Sequence, residues 1–176
     1  VGLVSGACFS DFGHDVVVVD RVAARIEALV RGETPIYEPG LEALMARNAA
    51  AGRLTFTTDL AAALEGAEAA FIAVGTPTRR GDGHADLSFV YAAAREIAAA
   101  LRAPALVVVK STVPVGANRA VLGILREARP DLALDVASNP EFLREGAAIA
   151  DFMRPDRIVV GAETEAAREA MRALYR

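Results

Sequence analysis

Short β-branched runs alternate with longer alanine-rich segments along the whole chain, and few folds accept that rhythm. Val16-Val17-Val18-Val19 closes on Asp20. Residues 54–58, 69–74, 105–109, 134–137 and 157–160 complete a set of six runs. Most are apolar at successive positions rather than at alternate ones, the pattern of strands covered on both faces. Between them, residues 2–12, 22–30, 41–51, 60–64, 88–101, 117–129 and 163–175 read as helices, with Ser88 as an N-cap. Pro35, Pro39, Pro77, Pro114, Pro140 and Pro155 fall in the connections, where a missing N–H does no harm. Strand–helix alternation of this kind predicts an α/β fold, a doubly wound parallel sheet of Rossmann-like type.

The opening departs from that scheme. Residues 2–12 read as a helix with no strand before it, whereas the first strand of a doubly wound sheet is central. The first strand is therefore expected to be missing, and a chain that starts at Val1 rather than Met is read as cut at its N-terminus. With 176 residues, 53% of them apolar and 24% charged, the chain is long enough for one well-cored domain. Its net charge of −4 gives no electrostatic footprint for nucleic acid or an anionic membrane. A single cysteine, Cys8, excludes an intramolecular disulfide and reads as a small core residue; two histidines, His14 and His84, speak against a histidine zinc centre. No apolar stretch reaches membrane-spanning length and no basic, signal-like segment opens the chain, so a cytoplasmic protein is expected.

Asp20 ends a strand 18 residues after Gly2, which opens a helix. This spacing fits the last part of a dinucleotide fingerprint, in which the third glycine lets helix and strand approach and the acid accepts hydrogen bonds from the adenosine ribose. A strand-ending Asp also serves as a helix cap or stands solvated, and these two positions do not decide between the readings. Three further segments follow buried runs: Val74-Gly75-Thr76-Pro77-Thr78, Lys110-Ser111-Thr112-Val113-Pro114-Val115-Gly116 and Ser138-Asn139-Pro140-Glu141-Phe142-Leu143-Arg144-Glu145-Gly146. In open α/β sheets that edge is where ligands bind, although turns use the same residue types. If the chain beyond Pro140 is helical, capped by Asn139, then Glu141 and Glu145 share a face and suit acid–base work or a ribose contact; first-turn acids also simply favour the helix dipole. The polar run 78–86 reads as a solvated loop, and residues 35–40 as a lid or a spacer.

Taken together, the blocks VGLVSGACFSDFGHDVVVVD, PIYEPGLEAL, VGTPTRRGDGHADLSFVYAAAREIA, KSTVPVG, SNPEFLREGAAIADF and PDRIVVG resemble the N-terminal domain of the UDP-glucose/GDP-mannose dehydrogenase family, in family order over nearly the whole chain. The resemblance implies NAD as cofactor and two successive hydride transfers that turn a nucleotide sugar's C6 alcohol into a carboxylate. The wording of the blocks points to UDP-glucose, with GDP-mannose or a UDP-N-acetylhexosamine as the alternative. It implies cofactor contacts at Val1, Gly2, Asp20, Arg25, Val74, Gly75, Thr76, Pro77, Thr78, Ser111, Thr112, Val113 and Glu145. Thr112 looks like the residue that helps to hold the hydrolytic water, and Glu141 like the acid–base residue. Glu141, Phe142, Leu143, Arg144 and Glu145 look like part of the substrate wall. A charged Asp20 would repel a 2′-phosphate, which favours NAD over NADP, although Arg21 beside it weakens the preference. The family's catalytic thiol, the Lys and Asn that stabilise the oxyanion, and its dimerising helix belong to a region beyond Arg176. The chain is accordingly expected to be a partial domain, inactive alone, from a protein that forms a homodimer. Another NAD(P)-dependent dehydrogenase, such as a β-hydroxyacid type, and a non-catalytic nucleotide-binding module are the competing readings.

Overall fold

The computed structural model describes residues 1–79, 81 and 83–176. Its elements run α1 (Gly2–Asp11), β1 (Val16–Val19), α2 (Ala23–Val30), α3 (Leu41–Ala50), β2 (Leu54–Thr57), α4 (Leu60–Ala63), β3 (Ala69–Ile72), α5 (Ser88–Ala100), β4 (Leu106–Val109), α6 (Ala117–Ala128), β5 (Asp135–Ser138), α7 (Ala148–Met153), β6 (Gly161–Ala162) and α8 (Glu165–Leu174). The described strands pair as two sheets, β1-β2 and β3-β4-β5-β6, and no described strand precedes α1. The chain divides into two compact units.

The first unit comprises Val1–Ala63, Phe142–Ile158 and Leu174–Arg176. Strands β1 and β2 lie parallel, with Val16 opposite Leu54 and Val19 opposite Thr57. Helix α1 packs on β1 at Gly6. A Cβ there would stand 2.9 Å from Val18 Cγ2 and 3.5 Å from Val16 Cγ1, so only glycine lets the helix backbone come this close to the strand. Residues 4–10 of α1 are all buried, Cys8 included, as its reading as a core residue predicts. The Phe9 ring lies edge-on to Phe152 of α7 at 5.0 Å and to Tyr175 at 5.1 Å. His14 Nε2 donates to the Leu174 carbonyl at 2.9 Å. Asp11 accepts from Arg47 and Asn48, and the Arg47 hydrogen bond is the main reason its carboxyl titrates below the usual range.

The second unit comprises Leu64–Glu141 and Val159–Ala173. Strands β3, β4 and β5 are parallel and in step: Ile72 faces Val109, and Val109 faces Ser138. All four residues of β4 are buried, the outcome its unbroken apolar run predicts. Helices α5 and α6 pack on each other, α5 on β3 and α6 on β5, burying Val90, Ala94, Val121 and Leu125 completely.

Three expectations need correction here. The sixth strand is not 157–160. It is the two-residue β6 (Gly161–Ala162), which begins directly after the expected run ends, and it runs antiparallel to β5. Ile158, Val159 and Val160 are left partly exposed, and the Val159 carbonyl takes the Asn139 side-chain amide at 3.0 Å rather than a ladder bond. Ser88 is the first helical residue rather than the cap; Asp86 Oδ1 accepts its N–H at 2.9 Å. The segment after Pro140 is not helical until α7 begins at Ala148, and Asn139 does not cap it. Of the 78–86 run, Arg80 and Asp82 lie outside the described residues. Elsewhere the run closes on itself, with Thr78 bridging Ala85 and Arg79 N–H donating to the His84 carbonyl at 2.7 Å.

Candidate functional site

In the first unit, Asp20 stands just beyond β1 and accepts from two protein donors. Oδ1 takes the Val22 N–H at 2.8 Å, and Oδ2 takes Arg25 Nη1 at 3.2 Å. The carboxylate therefore does support the entry to α2, as the capping alternative requires. Two ionised oxygens offer about four acceptor directions, and these two donors take one each. The Asp20 side chain keeps 29% of its surface and that of Arg25 keeps 60%. An acceptor-only group of this kind suits the paired hydroxyls of an adenosine ribose, so the residues present fit NAD. Val1 and Gly2 stand at the start of α1, where the first amides have no intrahelical acceptor and the helix dipole favours an anion.

The same unit carries residues 142–147, with Phe142, Arg144 and Glu145 exposed and Leu143 half-buried. Glu141 and Glu145 do not share a helix face, because the backbone donors of this stretch go elsewhere. The Arg144 N–H bonds Asp151 Oδ2 at 2.9 Å, and the Gly146 N–H bonds Glu38 Oε2 at 3.0 Å. Ala147 N–H closes a turn on the Arg144 carbonyl at 3.1 Å, with Gly146 at φ +78°, a conformation glycine adopts without strain. The Arg144 guanidinium grips Asp151 with two further bonds, at 3.0 and 2.6 Å, and together these hold the Asp151 carboxyl down at about 2.

In the second unit the in-step ends of β3, β4 and β5 bring three expected segments to one sheet edge. Thr112 and Glu141 each lie three residues beyond the facing pair Val109 and Ser138, so adjacent strand ends carry both. Thr112 is exposed and Glu141 half-buried. Ser111 is buried instead. Its hydroxyl donates to the Val74 carbonyl at 2.7 Å and ties the β4 loop to the β3 loop. Val74 and Thr76 are half-buried; Gly75, Pro77 and Thr78 are exposed. Thr112 and Val113 line a shallow cavity of about 430 Å³ with Arg79, His84, Leu87 and Pro114.

Sequence reasoning passed over two buried charged residues. Lys110 is 3% exposed, and its ammonium donates to Asn139 Oδ1 at 3.0 Å. A lysine directly after the β4 run was the available signal. Glu38, treated as part of a spacer or lid, is buried against the start of α7. Among the described residues, no group of three or more His, Cys, Asp or Glu is placed to hold a metal ion. No described helix is long and apolar enough to cross a membrane.

Comparison with known proteins matches residues 1–176 to the UDP-glucose/GDP-mannose dehydrogenase family, NAD binding domain. UDP-glucose 6-dehydrogenase of Rhizobium meliloti (strain 1021) is 61% identical over 178 residues, covering 100% of this chain and 41% of that protein. Among solved structures, a UDP-glucose dehydrogenase from the hyperthermophilic archaeon Pyrobaculum islandicum superposes with a TM-score of 0.94 at 44% identity, covering 99% of this chain and 41% of its own. GDP-mannose dehydrogenase from Pseudomonas aeruginosa gives the same TM-score at 37% identity, over 100% of this chain and 42% of its own. The chain thus spans about two fifths of the length of the relatives it matches. A match over every residue, together with parallel strand ends that carry Asp20, Thr112 and Glu141, places the chain in the UDP-glucose/GDP-mannose dehydrogenase family, as its NAD-binding domain.

Proposed function

We propose that residues 1–176 are the cofactor domain of a dehydrogenase that oxidises UDP-glucose to UDP-glucuronate in two successive hydride transfers. The supporting observation is the gradient of identity. It is higher to the two UDP-glucose dehydrogenases than to the GDP-mannose dehydrogenase, whose backbone matches equally well. On this reading the catalytic thiol and the oxyanion-stabilising Lys and Asn belong to a further, C-terminal domain, and the complete enzyme is a cytoplasmic homodimer.

Each unit then has its own tasks. In the first, Asp20 accepts the adenosine ribose hydroxyls beside Arg25, Val1 and Gly2 face the pyrophosphate, Glu145 contacts the cofactor, and Phe142, Leu143, Arg144 and Glu145 form substrate wall. In the second, Val74, Gly75, Thr76, Pro77 and Thr78, with Ser111, Thr112 and Val113, line the cofactor. There Thr112 helps to hold the hydrolytic water, and Glu141 takes a proton from that water and returns it as the acyl product leaves. NAD, when bound, supplies the hydride acceptor.

The test is NADH formation by the full-length protein with UDP-glucose, GDP-mannose and UDP-N-acetylglucosamine. A kcat/KM for UDP-glucose about tenfold or more above the others is expected; preference for either competitor overturns the substrate assignment. Glu141→Gln is expected to lower turnover by about 10²- to 10⁴-fold, and the 176-residue chain alone to show none.

A further inference from the structure

We propose that Glu38 is a positioning residue that fixes the turn carrying Glu145, an assignment resting on the dehydrogenase reading above. Glu38 is 9% exposed, and a carboxylate that far out of water needs compensating donors. It finds two, both more than a hundred residues away in sequence: Oε2 accepts the Gly146 N–H at 3.0 Å and Oε1 the Ile149 N–H at 3.2 Å.

Ile149 is the second residue of α7, whose N-cap position, Ala147, has no side chain able to cap. Glu38 supplies from another element the acceptor that a capping Ser or Asp would provide, and it puts a negative charge at the positive end of the helix dipole. Capping α7 would require only the bond to Ile149. The second bond, to Gly146, reaches back into the turn at residues 144–147.

That turn is held on its other side by Asp151, which takes the Arg144 N–H and guanidinium. Glu145 therefore sits between two residues whose backbone N–H groups are each fixed by a carboxylate. It is itself exposed, on a backbone held from both sides by Asp151 and Glu38. Glu38 is anchored in turn by the Leu41 N–H, which donates to the Glu38 carbonyl at 3.1 Å.

The test uses the full-length protein carrying Glu38→Ala, Glu38→Gln, Glu145→Gln and the combination of Glu38→Ala with Glu145→Gln, read by NADH kinetics and by amide hydrogen exchange. Glu38→Ala is expected to lower kcat/KM by about tenfold or more, since small misplacements of a contact group are costly. Glu38→Gln, which keeps one acceptor oxygen, is expected to lose less. If Glu38 acts through Glu145, then adding Glu38→Ala to Glu145→Gln costs no more than about twofold further. An equal loss in both backgrounds, or no loss in either, overturns the proposal. The Gly146 and Ile149 amides are expected to exchange faster in Glu38→Ala; unchanged exchange overturns it too. Should Glu38→Ala fail to fold, Glu38→Gln carries the same comparisons. A wild-type protein inert toward UDP-glucose, GDP-mannose and UDP-N-acetylglucosamine alike would sink the dehydrogenase reading, and with it the role assigned to Glu145, while the exchange data would still decide whether Glu38 holds the turn.

Discussion

The ammonium of Lys110 donates to Asn139 Oδ1 at 3.0 Å, one residue beyond the facing pair Val109 and Ser138. The bond joins the ends of β4 and β5 directly below the segments that carry Thr112 and Glu141. Asn139 passes its own amide to the Val159 carbonyl at 3.0 Å, so one amide side chain organises both the lysine and the approach to β6. Both residues are almost fully buried. Asn139→Leu would leave a buried ammonium short of an acceptor and is expected to destabilise the protein by about 2–4 kcal/mol. Lys110→Met, which keeps the aliphatic stem, is expected to cost about 1–3 kcal/mol. Urea denaturation of the two single variants and the double checks this; fully additive losses would mean that the two side chains do not share a network.

Gly6 predicts a steric effect of a different kind. An added Cβ would meet Val18 Cγ2 at 2.9 Å, and valine is stiff about its only side-chain torsion. Gly6→Ala should therefore push α1 off β1 and destabilise by about 1–3 kcal/mol, despite alanine's better helix propensity. Val18→Ala in the same chain should restore part of the loss. A Gly6→Ala variant with unchanged thermal stability would show that the helix can shift freely.

The elements were legible where local signals agreed. Unbroken valine runs placed β1 and β4, and alanine-rich segments flanked by proline or glycine placed α5 and α6 to within a residue or two. What stayed hidden depends on partners distant in sequence. Nothing near Glu38 says that its acceptors serve Gly146 and Ile149, and nothing near Asn139 says that its amide is taken by Lys110 and Val159. The same cause defeated the helix expected after Pro140. Its cap residue was engaged elsewhere, and side-chain carboxylates claimed the backbone donors. Nor does local spacing show that α1 crosses β1 at Gly6, because that contact depends on which turn of the helix meets the strand.

Asp20 and Arg25 form an ion pair with a well-exposed cation, and pairs of that kind contribute about 0–1 kcal/mol to stability. Asp20→Asn should consequently leave thermal stability nearly unchanged. It should nonetheless raise the Kd for NAD about tenfold, because hydrogen bonds to a charged acceptor exceed those to a neutral one by about that much. Calorimetric titration with NAD and NADP separates the effects. The preference for NAD over NADP should shrink, since the charge that repels a 2′-phosphate is gone. An unchanged NAD affinity would remove Asp20 from the cofactor site.

The Arg144–Asp151 pair predicts a pH dependence whose direction follows from the lowered carboxyl. Asp151 titrates at about 2 instead of the usual 3.8, held down first by the Arg144 guanidinium and then by its backbone N–H. A carboxyl more acidic in the folded than in the unfolded state adds stability above its unfolded pKa, and the contribution disappears as pH falls through its folded pKa. The advantage of wild type over Asp151→Asn should therefore be constant from neutrality down to about pH 4 and shrink from there to about pH 2. Because Asp151 also fixes the Arg144 end of the turn, the Gly146 side held by Glu38 should remain protected in Asp151→Asn while the Arg144 amide exchanges faster. Urea denaturation across that pH range, paired with amide exchange, reads both effects. A stability difference that does not vary with pH would show that folding does not lower the Asp151 pKa.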